Sequence, residues 1–125
     1  MELLAWLFIT NSTAYGLPDG LLSSLCYVES KHKISAIHKD DGGADSLGVC
    51  QVKLATARSL GFKGTAKQLM NPKMNIKYSA MYLNYQVKRY HGNITKAVIA
   101  YNRGNARGLT TSKYARKVYK QWRGF

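Results

Sequence analysis

Glu29 follows Leu22 by seven residues and Leu25 by four, so on a helix all three project from one face and the carboxyl emerges among core residues. A carboxyl placed there loses hydration, which disfavours its charged form and raises its pKa. A glutamic acid still protonated near neutral pH is a competent general acid. The same placement also suits a structural glutamate paired with a lysine or arginine, because ion-pair networks perturb acids as well. Any second carboxylate has to come from Asp40, Asp41 or Asp45 in the segment HKDDGGADSLG. Glycosidases with two acids hold them about 5–5.5 Å apart for retention or about 6.5–9.5 Å apart for inversion. The DDGGAD run also reads as a turn-forming sequence, and its spacing does not match the EF-hand calcium pattern.

His32, His38 and His91 are too scattered to form a metal site, and no metal or other cofactor is expected. Cys26 and Cys50 are the two cysteines, too few for a disulfide scaffold and wrongly spaced for zinc. They are either free core residues or one bridge. Cys26 lies one turn before Glu29 and Cys50 one residue before Gln51, so a bridge would clip these segments together.

The elements that position these residues read as mostly helical. MELLAWLFIT forms a first helix; it lacks the basic n-region and cleavage site of a signal peptide, so export, if any, uses another route. Gly16 to Asp19 breaks that helix and starts a second, with Pro18 and Asp19 in its first turn. Residues 38–48 form a loop, a short helix spans Thr56 to Leu60, and a turn lies around Lys67 to Met70. Asn71-Pro72 caps and opens a long helix running to about Tyr90. Its stripe of Met74, Tyr78, Met81, Tyr82 and Tyr85 is expected to face the core, although tyrosines there also suit sugar faces. Ile94 to Tyr101 forms another helical segment closed by Asn102-Arg103-Gly104. Tyr114, Val118 and Trp122 share one face of a basic last helix from about Ser112 to Trp122. The expected fold is a single α+β, mostly α domain over residues 1–125, with at most a short β-hairpin near residues 38–50.

The charge is one-sided. Nineteen Lys and Arg stand against six Asp and Glu, for a formal net charge of +13. From Ser46 to Phe125 the chain carries sixteen of the basic residues and no carboxylate. Such a field concentrates polyanions at the surface: nucleic acid, the bacterial wall with its acidic polymers, or lipopolysaccharide. No stretch approaches the roughly 20 apolar residues of a membrane-spanning helix.

Glu29-Ser30, Gly48-Val49-Cys50-Gln51, Ala55-Thr56-Ala57, Asn71-Pro72 with Asn75-Ile76, and Ala100-Tyr101-Asn102-Arg103-Gly104 occur in that order. The set resembles the soluble lytic transglycosylase (SLT) domain of the lysozyme-like superfamily, whose motifs read ES, GLMQ, ATA, NP-x-x-NI and AYN-x-G. Five short motifs in order, over residues 13–120, carry far more information than any one alone. The resemblance implies cleavage of the β-1,4 bond between N-acetylmuramic acid and N-acetylglucosamine without water. Glu29 would act first as acid and then as base, and a 1,6-anhydro ring would form on the muramyl product. It also implies glycan contacts from Gln51 and Asn102, a Tyr101 hydroxyl near the acid, and a role for Tyr114, which matches a tyrosine of the last motif. Ser46 would hydrogen-bond the reactive N-acetyl group. Thr110 stands where many relatives have a glutamate. The loop between ES and GLMQ is longer than usual for the family and similar to that of goose-type lysozymes, which hold a hydrolytic water with an aspartate there. Hydrolysis by a muramidase through Asp40, Asp41 or Asp45 is therefore the alternative.

The partner implied is the peptidoglycan glycan strand, at the bacterial wall or in the periplasm, with the protein acting as a monomer. A phage endolysin or virion-associated enzyme is expected first, and a secretion or conjugation enzyme second. The basic last helix, through Tyr119 and Trp122, is a further candidate for contact with outer-membrane lipopolysaccharide. A nucleic-acid-binding module is the rival class, supported only by the sequence pI ≈ 9.9. A catalytically dead wall-binding domain is the third reading.

Overall fold

The structure, a computed structural model, describes residues 3–40 and 44–124. α1 (Leu3–Ala14) buries Leu7, Phe8 and Ser12 and packs on α5. α2 (Leu21–Ser30) buries Leu21, Leu22, Ser24, Leu25 and Cys26. It starts later than the sequence predicts. Gly20 takes φ 78, and the Leu21 amide donates to the Pro18 carbonyl at 3.2 Å. Residues 18–20 thus form a turn outside the helix, because glycine adopts the left-handed conformation without the Cβ penalty that keeps other residues helical.

Three two-residue strands, β1 (Ile37–His38), β2 (Ser46–Leu47) and β3 (Val52–Lys53), form an antiparallel sheet in sequence order. Ile37 pairs with Leu47, and Leu47 with Val52. The sequence predicts no more than a hairpin within residues 38–50. The third strand lies just past that window, and two residues are too few to show an alternating pattern.

α3 (Leu54–Ser59) and α4 (Ala66–Leu69) follow, the latter opened by a reciprocal capping box between Thr65 and Gln68. α5 (Pro72–Arg89) starts where Asn71 Oδ1 accepts the Lys73 amide at 2.9 Å, with Pro72 as the first helical residue. α6 (Ile94–Arg103) and α7 (Lys113–Arg123) are capped by the side chains of Asn93 and Ser112. α2 packs against α7, and α5 against α6, around a core that includes Leu22, Leu25, Ile76, Leu83, Ile99 and Val118. Each fully buried leucine or isoleucine there contributes about 1.5–3 kcal/mol.

The buried face of α5 is not the Met and Tyr stripe. Asn75, Ile76, Ser79, Ala80, Leu83 and Gln86 face inward. Met74, Tyr78 and Tyr82 pack at the margin of the core, and Tyr85 is 52% exposed. Polar Asn75, Ser79 and Gln86 disguise the inward face in the sequence, since hydrophobic periodicity cannot register a buried polar side chain whose partners lie elsewhere in the chain.

Candidate active site

Glu29 is the penultimate residue of α2, one turn beyond the fully buried Cys26. Its Oε2 accepts a 2.5 Å hydrogen bond from the Tyr114 hydroxyl at the start of α7. Desolvation raises its pKa from 4.5 to about 7, outweighing the Tyr114 hydrogen bond, which favours the carboxylate. Among the described residues the ion pairs join Lys39 to Asp45 and Lys53 to Asp40. Glu29 therefore has a phenol as its hydrogen-bond partner, not the cation that a structural ion pair would supply.

The wall opposite is the turn at residues 48–51. Gly48 has φ +78, and a Cβ there would sit 2.5 Å from Asn75 Nδ2, so both backbone conformation and space require glycine. Asn75 Oδ1 accepts the Cys50 amide at 2.8 Å. Its Nδ2 donates to the carbonyls of Leu47 at 2.8 Å and Leu69 at 2.9 Å. Cys26 and Cys50 are joined by a disulfide, which ties the turn to the helix that carries Glu29. Ser30 Oγ makes a second tie, donating to the Val49 carbonyl at 2.6 Å.

Tyr101 closes this network from α6. Its hydroxyl donates to the Cys50 carbonyl at 2.8 Å and is 2.8 Å from Ser79 Oγ. Burial, and then the charge of Glu29, raise its pKa above the ordinary phenol value. The same two causes raise that of Tyr114. Of the two tyrosines, Tyr114 holds the Glu29 carboxylate directly, and Tyr101 builds the wall beside it. Gln51, at φ 55, lies in the turn, and its Nε2 donates to the carbonyls of Ala36 at 3.1 Å and Gly48 at 2.9 Å.

A cleft of about 260 Å³ brings Glu29 together with Ser46, Gln51, Tyr101 and Asn102. Lys53, Thr56, Tyr82 and Arg103 also line it. Thr56 belongs to the ATA motif, which signals it. Tyr82 sits in the stripe that the sequence predicts to face the core, although tyrosines there also suit sugar faces. Glu29, Asn102 and Arg103 also border a second groove, of about 420 Å³, with Tyr114, Lys113 and Lys117. The acid thus stands between two depressions.

Asp45 lines a different depression, with Ala44 and Leu54, and accepts from Lys39 Nζ at 3.0 Å, which lowers its pKa. Asp40 Oδ2 is 3.9 Å from Lys53 Nζ. Asp41 lies outside the described residues. Among the described residues the cleft is lined by one carboxylate, that of Glu29, and no group of three His, Cys, Asp or Glu is placed to hold a metal. Thr110 is exposed. Trp122 and Tyr119 of the last helix also have internal partners. Trp122 Nε1 donates to the Asp19 carbonyl at 2.8 Å, and the Tyr119 hydroxyl is 2.8 Å from Thr95 Oγ1.

Known proteins resemble this chain in fold and sequence. The fold superposes on an inactive mutant of the lytic transglycosylase Slt from Pseudomonas aeruginosa with a TM-score of 0.69 and 22% identity, over 94% of this chain and 20% of that one. The chain is 32% identical over 104 residues to the peptidoglycan transglycosylase gp16 of Escherichia phage T7, spanning 81% of its own length and 8% of that protein. It is 27% identical over 112 residues to protein IpgF of Shigella flexneri, spanning 86% of its own length and 73% of that protein. The transglycosylase SLT domain matches residues 6–122, a span that includes the acid, the turn facing it and both tyrosines, and the chain belongs to that family.

Proposed function

We propose that this chain is a peptidoglycan lytic transglycosylase in which Glu29 is the sole acid and base. The observation that carries the reading is the state of Glu29. It is a half-buried carboxyl with a pKa near 7, bonded to a phenol and facing an open cleft. Family membership and the phage T7 relative support an enzyme acting on peptidoglycan.

In the proposed reaction the protonated Glu29 gives its proton to the glycosidic oxygen as the bond to the muramyl C1 breaks. The substrate's N-acetyl group supports the positive charge that develops, and Ser46, which lines the same cleft, would orient it. The Glu29 carboxylate then removes the proton of the muramyl C6 hydroxyl, whose oxygen bonds to C1 and closes the 1,6-anhydro ring. The proton returns to Glu29, and no water is consumed. A pKa near the working pH suits a group that must both give and take a proton, and the second carboxylate that a hydrolase needs to direct water has no counterpart among the described cleft residues. Gln51 and Asn102 contact the glycan across the cleft. Replacement of Glu29 by Gln keeps the shape and removes the proton. Loss of lysis of purified sacculi by more than a thousandfold is expected, with glycan binding retained; activity within tenfold of the parent contradicts the role of Glu29.

A further inference from the structure

The groove on the far side of Glu29 has a charge pattern that general attraction to the wall does not explain. Arg103 at the end of α6 and Lys113 and Lys117 on α7 border it, and all three are exposed. None is in an ion pair among the described residues, and the one carboxyl that borders the groove, Glu29, is hydrogen-bonded to Tyr114. Lys113 and Lys117 stand one helical turn apart, where like charges destabilise a helix. The raised pKa of Glu29 comes from burial, opposed by the Tyr114 hydrogen bond. The first cleft differs, because Lys53 there faces Asp40 at 3.9 Å. Arg103 borders both sides of the acid, whereas Lys113 and Lys117 border this groove alone, so a polymer laid across Glu29 meets the larger group of free cations on this side.

We propose that the Arg103, Lys113 and Lys117 groove binds the free carboxylates of the peptide branches on the glycan, so that the enzyme prefers peptide-bearing strands with unamidated carboxylates. This rests on the peptidoglycan reading above, in which the glycan passes Glu29 and its peptide branches are the nearest anions. Three cations on two adjoining helix ends form a charge-assisted receptor for a carboxylate, and Tyr114 between them and Glu29 links that receptor to the reacting bond.

The test measures binding by the Glu29→Gln protein, which holds substrate without turning it over. Calorimetry at fixed ionic strength compares soluble glycan fragments whose peptides carry free carboxylates with the same fragments after amidation. The free-carboxylate fragments are expected to bind about tenfold tighter, as charge-assisted contacts require. Adding Lys113→Gln and Lys117→Gln removes that preference, whereas Lys63→Gln with Lys67→Gln, which takes the same charge from elsewhere on the surface, keeps it. Equal affinity for free and amidated fragments overturns the proposal whatever the variants do, and so does an undiminished preference in the Lys113 and Lys117 variant. Turnover of the same fragments by the parent protein is followed separately. Its absence counts against the transglycosylase reading, while the binding comparison still decides the groove.

Discussion

The Tyr114 hydroxyl reaches across 85 positions of sequence to hold Glu29 Oε2 at 2.5 Å. The bond favours the carboxylate, while burial favours the acid and prevails, leaving the pKa at about 7. The two residues act as one titrating unit, in which α2 sets the desolvation and α7 supplies the counterweight.

Tyr114→Phe removes the counterweight and leaves the desolvation, so the Glu29 pKa rises further above 7. The alkaline limb of the kcat/KM profile then moves to higher pH, and the rate at neutral pH falls as a half-buried carboxyl loses its donor, at a cost of about 1–3 kcal/mol. A pH–rate profile of the variant checks this; an unmoved limb excludes the coupling.

In the parent, kcat/KM is expected to fall as pH rises through about 7, because the proposed first step requires the protonated form of Glu29. Stability follows the same group. Between about 4.5 and about 7 the folded protein keeps a proton that the unfolded chain has lost, so this contribution is full below 4.5 and lost as pH rises through 7. Glu29→Gln is therefore expected to stabilise the fold by about 2 kcal/mol at pH 8, after discounting for partial exposure, and by nothing at pH 4. Thermal melts at the two pH values measure the difference.

The Cys26–Cys50 bridge closes a loop with a sequence separation of 24. Replacing both cysteines by alanine is expected to cost about 3 kcal/mol by chain entropy alone. It also loosens the turn whose Cys50 carbonyl accepts from Tyr101, so activity should fall further than the unfolded fraction accounts for. Denaturant titration alongside sacculus lysis separates the two effects.

Asn75→Ala leaves the Cys50 amide and the Leu47 and Leu69 carbonyls without their side-chain partner inside the protein. A loss of about 3 kcal/mol or more is expected, read as a lowered urea midpoint. A variant within 1 kcal/mol of the parent would remove Asn75 from the account, since about 1–3 kcal/mol attaches to each unsatisfied group.

Much of this was legible in the sequence where local rules apply. The cap at Asn71, the start of the last helix near Ser112, and the face shared by Leu22, Leu25 and Glu29 follow from spacing and side-chain chemistry. What escaped depends on contacts between distant segments. The inward face of α5 is partly polar because Asn75 serves the 48–51 turn and Ser79 serves Tyr101. Tyr82 packs against the core and also lines the cleft. The late start of α2 reflects the left-handed backbone of Gly20, which the Pro18-Asp19 helix signal outweighed on paper. The groove beside Lys113 and Lys117 exists only once α6 and α7 meet at Glu29.

The central claim is that one carboxyl performs both proton transfers without water, and mass spectrometry of the muropeptides released from purified peptidoglycan tests it most directly. 1,6-Anhydromuramyl ends, lighter by one water than reducing ends, are the expected product. Reducing muramyl ends as the main product would contradict that claim and assign the protein a hydrolytic reaction.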